Sequence, residues 1–235
     1  MRVLLFWIGM SLKTKVTVQC LLTAIVTAAM LFLPAGTWKY CQGWIFLGAM
    51  MIPMVAASIY FTERDPQLVE RRLQAKEKIG EQKLIMKFAK LIFIAAFLLP
   101  GFDFRFGWSR RTLGAVPVWL MICSGAIALA GYLMTYWVMS ANSYASRIIQ
   151  VEKDQRVISI GPYRIVRHPM YLGAIISLFF APLALGSYWA VPAFALVIPV
   201  IVLRILNEEK ILRQELAGYS EYCQKTRSRL IPLIW

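Results

Sequence analysis

An uncharged apolar run of 33 residues, at positions 171–203, constrains this chain more than any other feature. About 20 apolar residues in a helix span the hydrocarbon core of a bilayer, so this run is long enough for two short crossings with a break near 185–187. Because the backbone polar groups of a lipid-embedded segment must be satisfied internally, such runs predict helices. Four further runs approach or exceed the length of one crossing, and the third of them requires Lys87 and Lys90 to extend their side chains towards the membrane surface. They lie at 16–34, 43–61, 84–102 and 113–139.

The sequence therefore predicts an all-α, polytopic membrane protein with about six transmembrane helices, and the basic residues indicate its orientation. The chain has 26 Lys and Arg against 12 Asp and Glu, a net charge of +14. Counted from an inside N-terminus, 22 basic residues fall in inner segments and 4 in outer loops. This asymmetry follows the positive-inside rule with both termini cytoplasmic, which requires an even number of crossings. We expect contact with membrane lipids, no nucleic-acid partner, and a prokaryotic inner membrane as the location.

The chain divides into an apolar half and a half with more polar detail. Residues 1–112 are predicted to form an N-terminal transmembrane scaffold, whose charged interruption near 65–82 indicates either a helix on the inner membrane surface or a solvated loop. Asp65 can cap that helix, with Pro66 in its first turn. Residues 113–235 are predicted to form the membrane-embedded functional core, ending in a helix from about 203 to 225. The four cysteines show no paired spacing, and with a single histidine we expect no metal site.

Two polar clusters flank the 33-residue apolar run. The first, at 161–173, holds three basic side chains, including the only histidine, His168, together with two tyrosines and two prolines. The second, at 204–209, begins where the run ends. An apolar hairpin would return both clusters to the same membrane face. We therefore expect them to form one site.

Each residue of these clusters also has a simpler interpretation. Arg204 and Glu208 are four residues apart on one helix face, where a surface ion pair is worth about 0–1 kcal/mol, and Glu209 points about 100° away. His168 is compatible with an interfacial residue, Arg164 with an inner-side anchor, and the tyrosines with an aromatic belt. The combination favours a site, because charges near membrane depth are costly and tend to face a cavity and a partner.

The order of these residues resembles that of a known enzyme family. The resemblance is to the isoprenylcysteine carboxyl methyltransferases, within the wider membrane phospholipid methyltransferases, and it covers roughly residues 113–235. It implies S-adenosylmethionine as methyl donor, bound in a cytoplasm-facing pocket that the C-terminal helix covers. The residues that carry it are Gly161-Pro162-Tyr163, Arg167-His168-Pro169-Met170-Tyr171, Gly173, Arg204, Glu208, Glu209, Tyr219, Tyr222, Arg227 and Pro232.

The resemblance also implies roles for individual residues. Arg204 and Glu208 are implied as catalytic, with Arg204 contacting the methyl acceptor and Glu208 the donor. The full set of implied donor contacts is Gln150, Val157, Ile158, Tyr163, His168, Pro169, Met170, Tyr171, Glu208 and Glu209.

The chemistry of the residues agrees with this assignment. A carboxylate such as Glu208 attracts the donor's sulfonium and ammonium, whereas His168, arginines and tyrosine faces suit its carboxylate and adenine. A carboxylate acceptor is ionised at neutral pH and needs no general base, but it needs a cation such as Arg204 to orient it. We therefore favour O-methylation of a prenylcysteine-like carboxylate on a lipid, a lipidated small molecule or a lipidated protein C-terminus.

Three other classes remain open from the sequence. The first is a lipid amine N-methyltransferase of the phosphatidylethanolamine type, which would require a proton acceptor. The second is an NADPH-dependent, sterol-reductase-like enzyme, which shares an Arg-His-Pro-x-Tyr string, although the Glu208-Glu209 pair would repel an anionic dinucleotide. The third is a non-catalytic membrane protein that retains the fold.

Overall fold

The computed structural model describes residues 9–235 except 74–79, Arg147, Gln150 and Lys153, and it describes the backbone alone for 80–82. The described residues form helices and connecting segments, with no strand among them. In chain order the elements are α1 (Leu12–Ala35), α2 (Cys41–Arg64), α3 (Pro66–Leu73), α4 (Gly80–Phe106), α5 (Trp108–Thr112), α6 (Val118–Ala141), a 3₁₀ turn (Gly161–Arg164), α7 (Pro169–Ala184), α8 (Val191–Ala195), α9 (Val197–Glu215) and α10 (Tyr219–Lys225).

Five segments of the described chain are long and apolar enough to cross a membrane: α1, α2, Lys83–Phe106 of α4, α6, and the α8–α9 segment Val191–Glu215. Large apolar side chains on their outward faces are exposed, as at Ile25, Ile45 and Ile52. Such a surface suits lipid rather than water. The predicted polytopic helical membrane fold is therefore confirmed.

One of the six predicted crossings, the helix α7, is shorter than the others. The first half of the 171–203 run forms α7, which has 16 residues. At about 1.5 Å per residue this helix is roughly 24 Å long, below the ~30 Å of a hydrocarbon core. It runs antiparallel to the longer α6, because Gly173 lies against Gly131 and Ala184 against Gly125. With this register the C-terminal end of α6 extends beyond the start of α7. This difference in length leaves the His168-Pro169 start of α7 recessed beside its neighbour.

The charged interruption near 65–82 is helical from Pro66 to Leu73, and its residues 74–79 lie outside the described residues. The helix α3 ends at Leu73 in the described chain, and residues 80–82 already belong to α4. Asp65 caps α3 as expected, since its Oδ1 accepts a hydrogen bond from the Leu68 amide at 3.0 Å. Leu68 and Val69 are buried and pack with Phe61. Burial of this apolar face against protein excludes the solvated-loop alternative for α3.

The predicted final helix is also interrupted. Instead of continuing from 203 to 225, α9 ends at Glu215 and α10 begins at Tyr219. Gly218 lies between them with a φ of 82°, a left-handed conformation that glycine adopts without steric cost. The chain bends here because a continuous helix cannot include that conformation, and the bend returns α10 to the inner face of the bundle.

At the opposite end of the bundle, a buried carboxylate joins three segments. Asp103 of α4 is 3% exposed and accepts hydrogen bonds from the Ser109 hydroxyl and, at 2.7 Å, from the Ser109 amide. The Ser187 hydroxyl donates to the same carboxylate at 2.5 Å. Charge-assisted hydrogen bonds are among the strong ones. This network fixes the turn between α7 and α8, which sets the course of α9.

Helices α6 and α7 touch backbone to backbone. A Cβ atom added at Gly131 would lie 2.7 Å from both the Gly173 carbonyl and the Ser177 amide. Small residues at such a crossing allow transmembrane helices to approach closely. The contact fixes the register of α7, and with it the position of the residues at the start of that helix.

Gly131→Ala should therefore destabilise the protein by about 1–3 kcal/mol, because the added methyl group overpacks the contact. Thermal unfolding in detergent micelles measures the effect. The matched control is Gly48→Ala in α2, where an added Cβ meets no atom within 4 Å and the higher helix propensity of alanine is worth about 1 kcal/mol. Equal unfolding midpoints for the two variants would contradict the close α6–α7 contact.

Candidate active site

One cavity of about 640 Å³ opens among α3, α4, α6, α7, α9, α10 and the segment 142–168. This volume is within the usual range for small-molecule sites. Its lining changes character along α9, where Val197 and Ile201 precede Arg204 and Glu208 at helical spacing. We call the two regions the apolar arm and the polar arm. The apolar arm is lined by Ala89, Phe93, Ala174, Leu178, Val197 and Val200, and the polar arm by Tyr163, His168, Tyr171, Arg204, Glu208 and Tyr219.

A tyrosine hydroxyl joins the two charged residues at the junction of the arms. Tyr171 donates a hydrogen bond to Glu208 Oε2 at 2.6 Å and accepts one from Arg204 Nε at 2.9 Å. Arg204 is only 8% exposed, and its Nη1 also donates to the Met86 sulfur at 2.9 Å. Tyr171 thus fixes a cation and an anion one helical turn apart, both lining the cavity.

The neighbouring Glu209 has a different environment. Its Oε1 accepts a hydrogen bond from Arg167 Nε at 2.6 Å and lies 3.3 Å from His168 Nε2, while its Oε2 accepts from Arg229 Nε at 3.0 Å. Glu209 is 3% exposed and is not among the residues that line the cavity. Consecutive helical residues point about 100° apart, so only Glu208 of the pair faces the ligand space. The structure thus places Glu209 behind the cavity wall, whereas the sequence grouped it with the predicted donor contacts.

The C-terminal tail holds the His168 segment from outside. Arg167 Nη1 donates to the carbonyls of Thr226 at 2.9 Å and Arg227 at 2.6 Å. The backbone amides of Arg167 and His168 donate to the carbonyls of Ser228 and Arg229, both at 2.9 Å. Burial alone would lower the pKa of Arg167, but the hydrogen bond and charge of Glu209 raise it, so this guanidinium stays charged. The tail and the ion pair together orient His168 towards the cavity.

Tyr163 is fixed at both its side chain and its backbone. Asn142, which ends α6, donates to the Tyr163 hydroxyl at 2.8 Å, and Tyr222 of α10 donates to the Tyr163 carbonyl at 2.8 Å. Burial raises the pKa of Tyr163 to about 12. Its hydroxyl is therefore neutral at physiological pH. The preceding Gly161 has a φ of 57°, which lets the 3₁₀ turn follow an extended segment.

Most of the residues proposed from the sequence converge on this cavity. Gln150 lies outside the described residues, Glu209 lies behind the wall, and Arg164 is exposed, as expected for an anchor. The extended segment through Val157 packs against α10. The convergent residues are Val157, Ile158, Tyr163, His168, Pro169, Met170, Tyr171, Arg204 and Glu208.

Sequence reasoning missed several residues of the site. Arg72 lines the cavity from α3, a helix whose sequence gave no indication of an inward-facing arginine. Arg229 and Asn142 make contacts that connect segments distant in the chain, and no spacing pattern predicts them. Tyr219 and Tyr222 are among the residues that carry the resemblance but had no predicted role, and both line the cavity.

Comparison with known proteins gives one match. The sequence model of the isoprenylcysteine carboxyl methyltransferase (ICMT) family matches residues 121–214, which run from α6 into the end of α9. No curated protein matches the chain significantly. The matched segment contains the 3₁₀ turn, the start of α7 and the Arg204–Glu209 cluster. Over residues 121–214, this chain is therefore similar to the isoprenylcysteine carboxyl methyltransferase family.

Proposed function

We propose that this protein transfers a methyl group from S-adenosylmethionine to the carboxylate of a prenylcysteine-like substrate. The observation that carries the proposal is the Arg204–Tyr171–Glu208 arrangement at the junction of an apolar and a polar arm. The family match over residues 121–214 supports a membrane methyltransferase that acts on isoprenylcysteine. The arrangement supports the division of one cavity between a lipid and a polar donor.

The chemistry of the polar arm fits S-adenosylmethionine. Glu208 offers a carboxylate to the donor's cationic groups, and the tyrosines offer aromatic faces to its adenine and sulfonium. When bound, the donor supplies an electrophilic methyl group. The residues that would hold it are Tyr163, His168, Pro169, Met170, Tyr171 and Glu208, with Val157 and Ile158 on the extended segment. Gln150, which lies outside the described residues, stays a predicted donor contact.

The apolar arm fits a lipid tail, and Arg204 fits its headgroup. A tail lying against α4, α7 and α9 would place its polar end beside the guanidinium of Arg204. Arginine orients a carboxylate through two parallel hydrogen bonds, and positioning supplies much of the rate of a displacement between two bound ligands. The acceptor oxygen is already ionised at neutral pH, so no residue needs to remove a proton.

The charge argument against a dinucleotide cofactor is weaker than the sequence suggested, because Glu209 is neutralised by two arginines. Glu208 alone faces the cavity. The family match now favours methyl transfer over NADPH chemistry. A lipid amine acceptor would require Glu208 to accept a proton, whereas the position of Arg204 favours an anionic acceptor.

We further propose that both termini are cytoplasmic, in a prokaryotic inner membrane. Five helices are long enough to cross, and counting α7 as a short sixth crossing supports an even number, with both ends of the chain on one side. A reporter fused after Trp235 should then be cytoplasmic, and one inserted at Gly114, before α6, should be extracytoplasmic. An extracytoplasmic C-terminal reporter would contradict this topology and separate the polar arm from cytosolic donor.

Glu208→Gln should weaken S-adenosylmethionine binding about tenfold to hundredfold, because it removes a charge worth roughly 1.5–3 kcal/mol while keeping the side-chain shape. Isothermal titration calorimetry on purified protein measures the change. Glu215→Gln provides the control, since Glu215 is an exposed acid on the same helix. Unchanged donor affinity in Glu208→Gln would remove this residue from the donor site.

Arg204→Lys should slow methyl transfer to a prenylcysteine carboxylate by about tenfold or more, since lysine keeps the charge but loses the paired hydrogen bonds. Donor affinity should change much less. Transfer of labelled methyl groups to carboxylate and amine lipids measures both acceptor classes, with Lys210→Ala as the exposed control on α9. Full turnover in Arg204→Lys, or wild-type activity on amine lipids alone, would favour the lipid amine alternative.

A further inference from the structure

The wall of the cavity includes an arginine from outside the segment that matches the family. Arg72 lies in α3, whereas the match begins at residue 121. Its side chain is half-buried and lines the cavity. One of its hydrogen bonds runs from Nη1 to the sulfur of Met170, at 3.3 Å. Arg72 therefore adjoins the start of α7 at Met170, and Arg204 adjoins it at Tyr171.

Three contacts hold α3 in place so that Arg72 faces inward. The apolar side chains Leu68 and Val69 are buried beneath the helix, and its N-terminus is capped by Asp65. The adjacent Arg71 donates to the Ser143 carbonyl at 2.8 Å and lies 5.3 Å from the ring centre of Tyr144. Residues 143 and 144 belong to the segment that lines the cavity. Arg71 thus fixes α3 to the site, and Arg72 faces the ligand space.

The charges along the described wall favour an anionic ligand group near Arg72. The cationic lining residues are Arg72, Arg156, Arg167 and Arg204, and the lining carboxylate is Glu208. Glu209 compensates Arg167 from behind. A thioether sulfur is a weak hydrogen-bond acceptor. A ligand carboxylate can replace it at the guanidinium with two charge-assisted hydrogen bonds, which makes Arg72 suited to an anion.

We propose that Arg72 is a binding and specificity residue for a carboxylate in this cavity, and that this carboxylate is the amino-acid carboxylate of the methyl donor. The inference rests on the proposed function. The two ligands of that reaction bring one carboxylate each. Besides Arg167, which pairs with Glu209, two arginines that are at least half-buried line the cavity, Arg204 of α9 and Arg72 of α3. Arg204, at the junction of the two arms, binds the acceptor carboxylate, and Arg72, beside Met170 and the segment 142–146, binds the donor carboxylate.

The test compares S-adenosylmethionine with decarboxylated S-adenosylmethionine, which differs only in the missing carboxylate. Calorimetry on the wild type should give about tenfold or more tighter binding of the carboxylated compound. In Arg72→Gln this preference should fall to within about twofold, because the guanidinium that binds the carboxylate is absent. Comparing the two donors in the wild type and in the variant isolates that interaction. Arg72→Lys should retain part of it. Arg64→Gln, which removes an exposed arginine just before α3, should keep the full preference.

A kinetic measurement tests the other source of a carboxylate, which is the methyl acceptor. If Arg72→Gln keeps the preference between the two donors but raises the KM for the carboxylate acceptor, Arg72 binds the acceptor instead. If both the preference and the KM stay at wild-type values, or if Arg72→Gln weakens both donors equally, the assignment of Arg72 to a carboxylate is overturned. A wild type that binds neither donor would instead contradict the proposed function, so the two failures are distinguishable.

Discussion

The buried carboxylate of Glu209 is the interaction on which the site depends. It lies between Arg167 and His168 at the start of α7 and Arg229 of the C-terminal tail, so one side chain of α9 holds three parts of the chain together. Removing one partner of a buried ion pair leaves an unpaired charge and costs several kcal/mol. The ion pairs therefore stabilise the end of the bundle where α7 begins. The helices of this bundle present apolar surfaces to lipid, where the hydrophobic effect contributes little to helix association.

The adjacent glutamates of α9 divide two tasks between them. Glu209 faces protein and has its charge compensated, whereas Glu208 faces the cavity and bonds to Tyr171. Helical geometry alone produces this division, because neighbouring residues differ by about 100° in direction. The proposed reaction would bring a cationic donor beside an anionic acceptor, which requires a fixed carboxylate facing the cavity. Glu209 therefore stabilises the scaffold, and Glu208 provides the carboxylate that faces a ligand.

The sequence predicted the features that follow from local pattern. Apolar runs predicted the spanning helices, and the return of the 171–203 run predicted that His168, Tyr171, Arg204 and Glu208 meet. It did not predict the bend at Gly218, because that bend depends on how α10 packs rather than on apolar content. It also missed Arg72, since the orientation of an arginine on a short charged helix is decided by tertiary contacts that no periodicity encodes.

The hydroxyl of Tyr171 has a consequence for the order of events at the site. Because it accepts a hydrogen bond from Arg204 and donates one to Glu208, neither residue can exchange a partner without altering the bonding of the other. A ligand that engages the guanidinium changes how strongly the hydroxyl polarises the carboxylate, and the reverse also holds. Thermodynamic linkage makes such an influence reciprocal. The Tyr171 hydroxyl thus couples the two halves of the cavity. A ligand bound at Arg204 changes the affinity for a ligand at Glu208, and the reverse.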